Sequence, residues 1–125
     1  GEIRTFLENA IKQAVKKGIL KSTIIIDPGI GLGKTVEHNL LLIKYLRKFE
    51  TLEVPILIGP SRKAFIRQIL KDRNAEEIEA DLPVVETGTQ AAIAAAALNG
   101  AHIIRVHDVA GTYKTIKIID AIKNA

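Results

Sequence analysis

Polar side chains follow three apolar runs of the sequence, at the point where each run ends. Asp27 follows the first run, Ser-Arg-Lys at 61–63 follows the second, and Arg105 and His107 lie at the end of the third. A carboxylate can accept two parallel hydrogen bonds from an amidine-like edge, such as the 2-amino-pyrimidinone of a pterin or guanine. Arginine, lysine and histidine can hold phosphate oxygens. Together these residue types predict a site for an anionic substrate that carries a hydrogen-bonding heterocycle.

A glycine-rich stretch follows the first run, and its spacing excludes the two common nucleotide loops. A Walker A loop needs four residues between its first glycine and its Gly-Lys pair, whereas three separate Gly29 from Gly33. The run at 29–33 also closes one residue too early for the dinucleotide fingerprint G-x-G-x-x-G. We therefore expect these glycines to let the loop turn close beside a flat heterocycle, and Lys34-Thr35 to lead into the next helix.

Each of these polar positions also has a purely structural interpretation. Asp27 before Pro-Gly can shape a turn, and Ser61 can cap a helix. His107 and Asp108 can cap the last helix. The coincidence at all three strand ends favours function, because the carboxyl ends of parallel strands form the active-site edge of α/β folds. For any single residue, both interpretations stay open.

Other reactive arrangements are missing from the sequence. The chain has no cysteine, which excludes disulfides and cysteine metal sites and fits an intracellular protein. Ser61 has no base in its own segment, so a nucleophilic triad is not indicated. His38 and His102 do not have metal-ligand spacing with His107. We expect His38 to open or pack a helix, and His102 to precede a strand at the edge away from the site.

The composition is that of a globular protein with one core. The chain has 125 residues, of which 47% are hydrophobic and 26% are charged. The net charge of +4 is spread along the sequence, and without a basic run it favours anionic small molecules over nucleic acid. No apolar run approaches the ~18 residues of a membrane span. Because the sequence starts with Gly1 and contains no methionine, we expect it to be part of a longer chain.

Apolar periodicity predicts alternating helices and strands. Helices are expected over 3–17, 38–49, 63–71, 87–98 and 113–123, strands over 23–26, 55–58 and 103–106, and a loop over 72–83. Short β-branched runs that alternate with helices are typical of a parallel sheet that is buried on both faces. Three strands are few for an independent parallel sheet, so the pattern predicts an α/β fold that belongs to a larger one.

The stretches DPGIGLGKTVEHN, IGPSRKAFI and NGAHIIRVHDV together resemble the last three strands of the dihydropteroate synthases. The resemblance implies that residues 1–125 are one partial domain, the C-terminal portion (strands six to eight) of a (β/α)8 TIM barrel with parallel strands. It implies a folate-pathway transferase that joins 6-hydroxymethyl-7,8-dihydropterin diphosphate to p-aminobenzoate and releases pyrophosphate. It also implies Mg²⁺ as cofactor, inhibition by sulfonamides, a homodimer and a cytoplasmic location.

The same resemblance implies a role for the residues at the strand ends. Asp27 would bind the edge of the pterin ring, and Gly59 would line its pocket. Lys63 would hydrogen-bond the pterin beside the p-aminobenzoate site. Arg105 and His107 would bind the diphosphate, aided by the N terminus of the last helix. Lys63, Arg105 and His107 would be the catalytic residues.

Several positions are less well defined by the resemblance. Arg62 is a weaker candidate, near the diphosphate or the carboxylate of p-aminobenzoate. Leu32 replaces a phenylalanine that is common in the family, and Ala64 replaces a serine that can contact p-aminobenzoate. The metal ligand is expected outside this chain, in a missing N-terminal half.

Two alternatives remain open. A methyltetrahydrofolate-type methyltransferase shares the pterin-binding carboxylate, but its substrate has no diphosphate for the basic residues of 105–107 to bind. The chain can instead be a non-catalytic fragment that is stable only when it packs against its missing half or a second copy. We expect an enzyme that acts on small molecules, with neither nucleic acid nor a membrane as partner.

Overall fold

The computed structural model describes residues 1–72 and 77–125, so positions 73–76 of the loop predicted over 72–83 lie outside the described residues. The helices are α1 (Glu2–Lys16), α2 (Val36–Lys44), α3 (Ala64–Leu70), α4 (Pro83–Leu98) and α5 (Val109–Lys123). The paired strands are β1 (Leu57–Ile58) and β2 (Ile103–Ile104), and 3-10 segments cover Lys21–Thr23 and Leu46–Leu52. Within the described residues, no helix is long and apolar enough to cross a membrane.

The three predicted strand segments lie side by side in a parallel arrangement. β1 and β2 pair with Leu57 opposite Ile103, and Ile26 forms a parallel bridge with Ile56, the residue before β1. The predicted α/β class with parallel strands is therefore confirmed. The carboxyl ends of the three segments meet at one edge, which we call the rim and which comprises residues 27–35, 59–63 and 105–108.

All three strand segments are shorter than predicted, since β1 itself covers two of the four residues predicted over 55–58. The two outer segments are also more exposed than predicted. Among the described residues, Ile26 alone pairs in the first segment, and β2 covers two of the four residues predicted for the third. Ile25 and Ile103 are 52% and 37% exposed, so the prediction of burial on both faces is wrong for these segments. Each has a described strand neighbour on one side only, whereas Ile56 and Ile58 in the centre are fully buried.

Two helices begin four residues earlier than predicted. α4 begins at Pro83 instead of 87, because proline is favourable in the first turn, where its missing N–H leaves no hydrogen bond unmade. α5 begins at Val109 instead of 113, because the Asp108 carboxylate caps it by accepting the Gly111 N–H over 2.9 Å. The helix predicted over 3–17 agrees with α1 to within one residue at each end.

The helix predicted over 38–49 divides into α2 and a 3-10 segment. Leu46, Phe49 and Leu52 are all at most 5% exposed and lie three residues apart, which is the period of a 3-10 helix. An α-helix has 3.6 residues per turn, so it would rotate these three side chains progressively away from the core. The prediction of an α-helix over 38–49 is therefore wrong from residue 46 onward.

Helix α4 packs against α2, α3 and α5. Small residues allow the close approach, since Ala96 and Thr89 are fully buried and Gly88 faces α3. A Cβ at Gly88 would lie 2.7 Å from side-chain carbons of both Ile66 and Leu70. The tight packing of α3 and α4 supports the loop between β1 and α3, which forms the middle part of the rim.

We expect Gly88→Ala to lower the free energy of unfolding of the intact protein by about 1 kcal/mol. Overpacking costs about 1–3 kcal/mol, and the better helix propensity of alanine offsets up to about 1 kcal/mol of it. Urea unfolding followed by circular dichroism measures the difference. Thr87→Ala, at an exposed position of the same helix, is the control. Unchanged stability in Gly88→Ala would mean that α3 can move away without cost.

Candidate active site

The first part of the rim is a loop shaped by Asp27 and by glycines. Asp27 Oδ1 accepts the N–H of Gly29 over 2.9 Å, so the carboxylate has the turn-forming role considered for it. Gly29, Gly31 and Gly33 have φ angles of 77°, 81° and 63°, a left-handed region that favours glycine. Asp27 is exposed, and no described residue donates a hydrogen bond to its Oδ2. The second carboxylate oxygen is therefore accessible to a ligand.

Asn39 fixes this glycine loop to helix α2. It is 2% exposed, its Oδ1 accepts the Gly31 N–H over 2.7 Å, and its Nδ2 donates to Thr35 O over 3.0 Å. Thr35 caps α2, because its Oγ1 accepts the His38 N–H over 3.1 Å. The prediction that Lys34-Thr35 leads into a helix is confirmed. Sequence reasoning missed Asn39. Its position could have been noticed because a polar amide stands next to a run of apolar residues in a predicted helix.

Lys63 lies against the same loop. A Cβ at Gly31 would be 2.9 Å from Cδ and 3.3 Å from Cγ of Lys63, so the alkyl part of this side chain crosses the loop backbone. Lys63 is also the N-cap of α3, the residue directly before the first residue of the helix. The contact joins the first and second parts of the rim, and it brings Lys63 beside the loop that starts at Asp27.

Arg105 covers Gly59 on the neighbouring segment. Its backbone N–H donates to Ile58 O over 3.0 Å, which continues the parallel ladder past β2. A Cβ at Gly59 would be 2.9 Å from Nη2 and 3.1 Å from Nε of Arg105, so the guanidinium lies on the backbone of this buried glycine. No carboxylate of the described residues lies within ion-pair distance of Arg105 or Lys63. The rim therefore presents two cations without a described acidic partner.

Ser61 and His107 form a hydrogen-bonded pair across the rim. Ser61 Oγ lies 2.7 Å from His107 Nδ1, and the backbone N–H of His107 donates to the same oxygen over 3.3 Å. Sequence reasoning found no base for Ser61 in its own segment and missed this partner, which lies 46 residues away. His102 is at the other end of β2, where its Nδ1 accepts the Ile56 N–H over 3.0 Å. Its predicted place before a strand is confirmed.

Helix α4 binds the turn that carries Arg62. The φ angle of Arg62 is 58°, and its N–H donates to Thr89 Oγ1 over 3.0 Å. Its Nε lies 3.7 Å from Glu86 Oε2, and these side chains are 32% and 25% exposed. Gln90 extends this network, since its Nε2 donates to Glu86 over 2.9 Å and to Thr112 over 3.0 Å. Sequence reasoning gave neither Thr89 nor Glu86 a part in holding this turn.

The described side chains do not form a metal centre by themselves. Residues 1–72 and 77–125 contain no group of three or more His, Cys, Asp or Glu side chains that could hold a metal ion. Mg²⁺ requires near-octahedral oxygen coordination, and the rim has two carboxylates. One of them, Asp108, already caps α5. The carboxylates of the described residues therefore do not by themselves fit a Mg²⁺ site.

Comparison with known proteins identifies the family. The family model described as "Pterin binding enzyme" matches residues 1–107. The chain belongs to this family of pterin-binding enzymes. The match extends over every site residue predicted from the sequence, from Asp27 to His107.

Curated relatives of this chain include several dihydropteroate synthases. The one from Synechocystis sp. (strain ATCC 27184 / PCC 6803 / Kazusa) is 39% identical over 122 residues, which are 98% of this chain and 40% of the relative. The one from Escherichia coli (strain K12) is 35% identical over 124 residues, which are 99% of this chain and 41% of the relative. The chain thus spans about 40% of the length of the curated relatives it matches.

Solved structures of dihydropteroate synthases have the same fold over this length. The enzyme from Xanthomonas albilineans in complex with 7,8-dihydropteroate has a TM-score of 0.87 and 35% identity, over 99% of this chain and 46% of that chain. The Yersinia pestis enzyme has a TM-score of 0.86 and 35% identity, over 99% of this chain and 55% of that chain. The predicted resemblance to the dihydropteroate synthases is confirmed.

We expect Thr89→Val to destabilise the protein by about 1 kcal/mol. Valine fills the same space but cannot accept the Arg62 N–H, and a buried donor without a partner costs about 1–3 kcal/mol. Thr89→Ser keeps the oxygen and is the matched control. Urea unfolding of the intact protein measures both. A loss of stability in Thr89→Ser with none in Thr89→Val would assign the contribution of Thr89 to its methyl group instead of its hydrogen bond.

Proposed function

We propose that the protein is a dihydropteroate synthase and that residues 1–125 form one partial domain, with strands six to eight of a (β/α)8 barrel. The proposed reaction joins 6-hydroxymethyl-7,8-dihydropterin diphosphate to p-aminobenzoate and releases pyrophosphate. The observation that carries the proposal is the rim, where three adjacent parallel segments bring Asp27, Lys63, Arg105 and His107 to one edge. The names of the relatives agree with it.

Asp27 is proposed to bind the pterin ring. Its Oδ1 already accepts the Gly29 N–H over 2.9 Å, which orients the carboxylate before a substrate arrives. A carboxylate has about four lone-pair sites, so it can also accept two hydrogen bonds from the N–H groups of the pterin edge. The turn-forming and ligand-binding roles are therefore compatible. Lys63, which crosses Gly31, would hydrogen-bond the ring beside the p-aminobenzoate site, and Gly59 would line the pocket.

Arg105 and His107 are proposed to bind the diphosphate. A guanidinium matches phosphate oxygens with its planar fork of donors, and the Arg105 guanidinium has no described acidic partner. Arg62 is a weaker candidate because its side chain lies near Glu86. The N terminus of α5, which the resemblance adds to this site, is not part of the proposal. The Asp108 carboxylate caps this end of the helix and would repel an anion.

The proposed chemistry is a displacement at the methylene carbon of the pterin. The bond from this carbon to the diphosphate oxygen breaks, the oxygen takes the electron pair, and a cationic dihydropterin remains. The aniline nitrogen of p-aminobenzoate then bonds to the carbon and loses a proton to solvent. Negative charge grows on the departing oxygen, so Arg105 and His107 would stabilise the transition state more than the bound substrate. Lys63 would keep the dihydropterin oriented during this change.

Further proposals concern the whole protein. Mg²⁺ is the proposed cofactor, with its ligand in the part of the relatives that this chain does not match, and no step above depends on it. A homodimer in the cytoplasm and inhibition by sulfonamides are proposed on the same basis. Exposed apolar side chains of α5 are compatible with a dimer, since Ile118 and Ile122, about one turn apart, are 64% and 59% exposed, and Tyr113 is 67% exposed.

The reaction can be tested directly on the intact protein. The protein is incubated with Mg²⁺, labelled p-aminobenzoate and 6-hydroxymethyl-7,8-dihydropterin diphosphate, and dihydropteroate and pyrophosphate are both quantified. We expect the two products in equal amounts. The substrate alcohol without its diphosphate is the matched control and should give no product. Methyl transfer from methyltetrahydrofolate, with no dihydropteroate formed, would contradict the proposal and favour the methyltransferase alternative.

A further inference from the structure

The pair formed by Ser61 and His107 connects a buried residue to an exposed one. Ser61 is 5% exposed, whereas His107 is exposed. The serine oxygen has two contacts with the same residue, at 2.7 Å to Nδ1 and at 3.3 Å to the backbone nitrogen. The second contact has a fixed direction, because a backbone N–H can only donate. Ser61 Oγ is therefore an acceptor toward the backbone of His107.

The direction of the first contact follows from the serine proton. A buried hydroxyl needs an acceptor for its proton, and among the described residues the other partner of Ser61 Oγ is His107 Nδ1. The hydroxyl therefore donates to Nδ1. A neutral imidazole carries one proton, and a ring nitrogen that accepts a hydrogen bond is the unprotonated one. Neutral His107 must then carry its proton on Nε2.

We propose that Ser61 is a positioning residue, which holds neutral His107 in the tautomer that presents an Nε2–H donor at the rim. No described residue bonds Nε2, so this N–H remains for a ligand. A protonated Nε2 can donate a hydrogen bond to an oxygen of a bound anion. An unprotonated Nε2 cannot, because its lone pair would repel the lone pairs of that oxygen. The inference rests on the proposed function, in which the anion is the diphosphate of the pterin substrate.

The contact does not make Ser61 a nucleophile. The hydroxyl is almost completely buried, so an incoming carbonyl or phosphoryl group has little access to it. A triad would also need a carboxylate on the second ring nitrogen, and Asp108, the next residue in the chain, instead caps α5 through Gly111. Ser61 acts through His107 and not on the substrate.

Nitrogen chemical shifts report the tautomer directly. In intact protein labelled with ¹⁵N-histidine, at a pH of about 8.5, an ordinary histidine is neutral, and its protonated nitrogen resonates upfield of the unprotonated one. We expect His107 to have an upfield Nε2 and a downfield Nδ1. His102 is an internal reference, because its Nδ1 accepts the Ile56 N–H and its proton must also be on Nε2.

Variants separate positioning from general structural support. In Ser61→Ala we expect the two His107 nitrogen signals to move toward each other, as both tautomers become populated. Ser61→Thr keeps the hydroxyl and should restore the wild-type pattern. Thr112→Val removes another buried hydroxyl, from the helix that follows His107, and should leave the His107 signals unchanged.

Kinetics test whether the tautomer matters for the substrate. Loss of the serine donor is expected to raise KM for the pterin diphosphate about fivefold, the equivalent of one ordinary hydrogen bond. In a His107→Ala background the same Ser61→Ala change should have no further effect, because Ser61 acts only through the imidazole. An equal increase of KM in both backgrounds would overturn the proposal.

The nitrogen signals also decide the inference independently of the activity. A wild-type His107 with its proton on Nδ1 would overturn the inference even if the enzyme is fully active, and so would unchanged His107 signals in Ser61→Ala. The wild-type spectrum is decisive even if Ser61→Ala fails to fold. If the wild type makes no dihydropteroate, the proposed function fails, and the tautomer measurement still stands by itself.

Discussion

Arg105→Ala is expected to lower kcat/KM for the pterin diphosphate by about 10²–10³-fold, the usual cost of removing one donor that stabilises a developing oxyanion. The guanidinium lies on the backbone of Gly59 and has no described acidic partner. No carboxylate of the described residues neutralises its charge, which is therefore expected to act on the departing diphosphate. Because Arg105 is exposed, the substitution should leave the unfolding transition nearly unchanged. Steady-state kinetics and thermal unfolding of the intact protein check the two parts.

Three further variants make this prediction sharper. Arg105→Lys keeps the charge but not the planar fork, so a smaller loss is expected. Gly59→Ala adds a Cβ 2.9 Å from Nη2, which should displace the guanidinium and also cause a partial loss. Arg47→Ala is the control, since Arg47 is exposed and binds Leu98 O at the far end of α4. If Arg105→Ala kept kcat/KM within twofold of the wild type, the diphosphate would not be bound at Arg105.

The rim was predictable from sequence because its positions follow from local patterns. Polar side chains lie at or within three residues of the end of each apolar run, and parallel strands place such ends at one edge. Ile26, Leu57 and Ile103 indeed lie in adjacent parallel segments. The exposure of the outer segments was not predictable in this way. The burial of a strand depends on neighbours on both sides, and the described residues supply one strand neighbour each for Ile26 and Ile103.

The residues that hold the rim together are the part that sequence reasoning could not supply. Ser61 contacts His107, 46 positions further along the sequence, and Arg62 contacts Thr89, 27 positions further along. The spacing of apolar residues in the sequence does not reveal contacts over such separations. Asn39 acts over eight positions by binding the N–H of Gly31. These contacts depend on how helices and loops pack, which is set by tertiary structure. Proline at 83 was misjudged for a simpler reason, because it ends helices in their interior but starts them in their first turn.

Asp27→Asn is expected to weaken binding of the pterin diphosphate by about 10²-fold or more. The amide oxygen of asparagine can still accept the Gly29 N–H, so the turn should persist. The charge is lost, and an NH₂ group replaces one acceptor opposite the N–H donors of the pterin edge. Two hydrogen bonds to a charged acceptor contribute about 1.5–3 kcal/mol each, which corresponds to this loss of affinity. Isothermal titration of the intact protein measures it, with Asp120→Asn on the exposed face of α5 as control.

Asp27→Ala then separates the two roles of this carboxylate. Alanine removes both the turn-forming acceptor and the ligand-binding charge, so it should reduce stability as well as affinity, whereas asparagine should reduce affinity alone. If asparagine bound the substrate like the wild type while alanine lowered the melting temperature, Asp27 would serve the turn only. In that case the rim would lack its heterocycle-binding group, because the remaining rim carboxylate, Asp108, already caps α5.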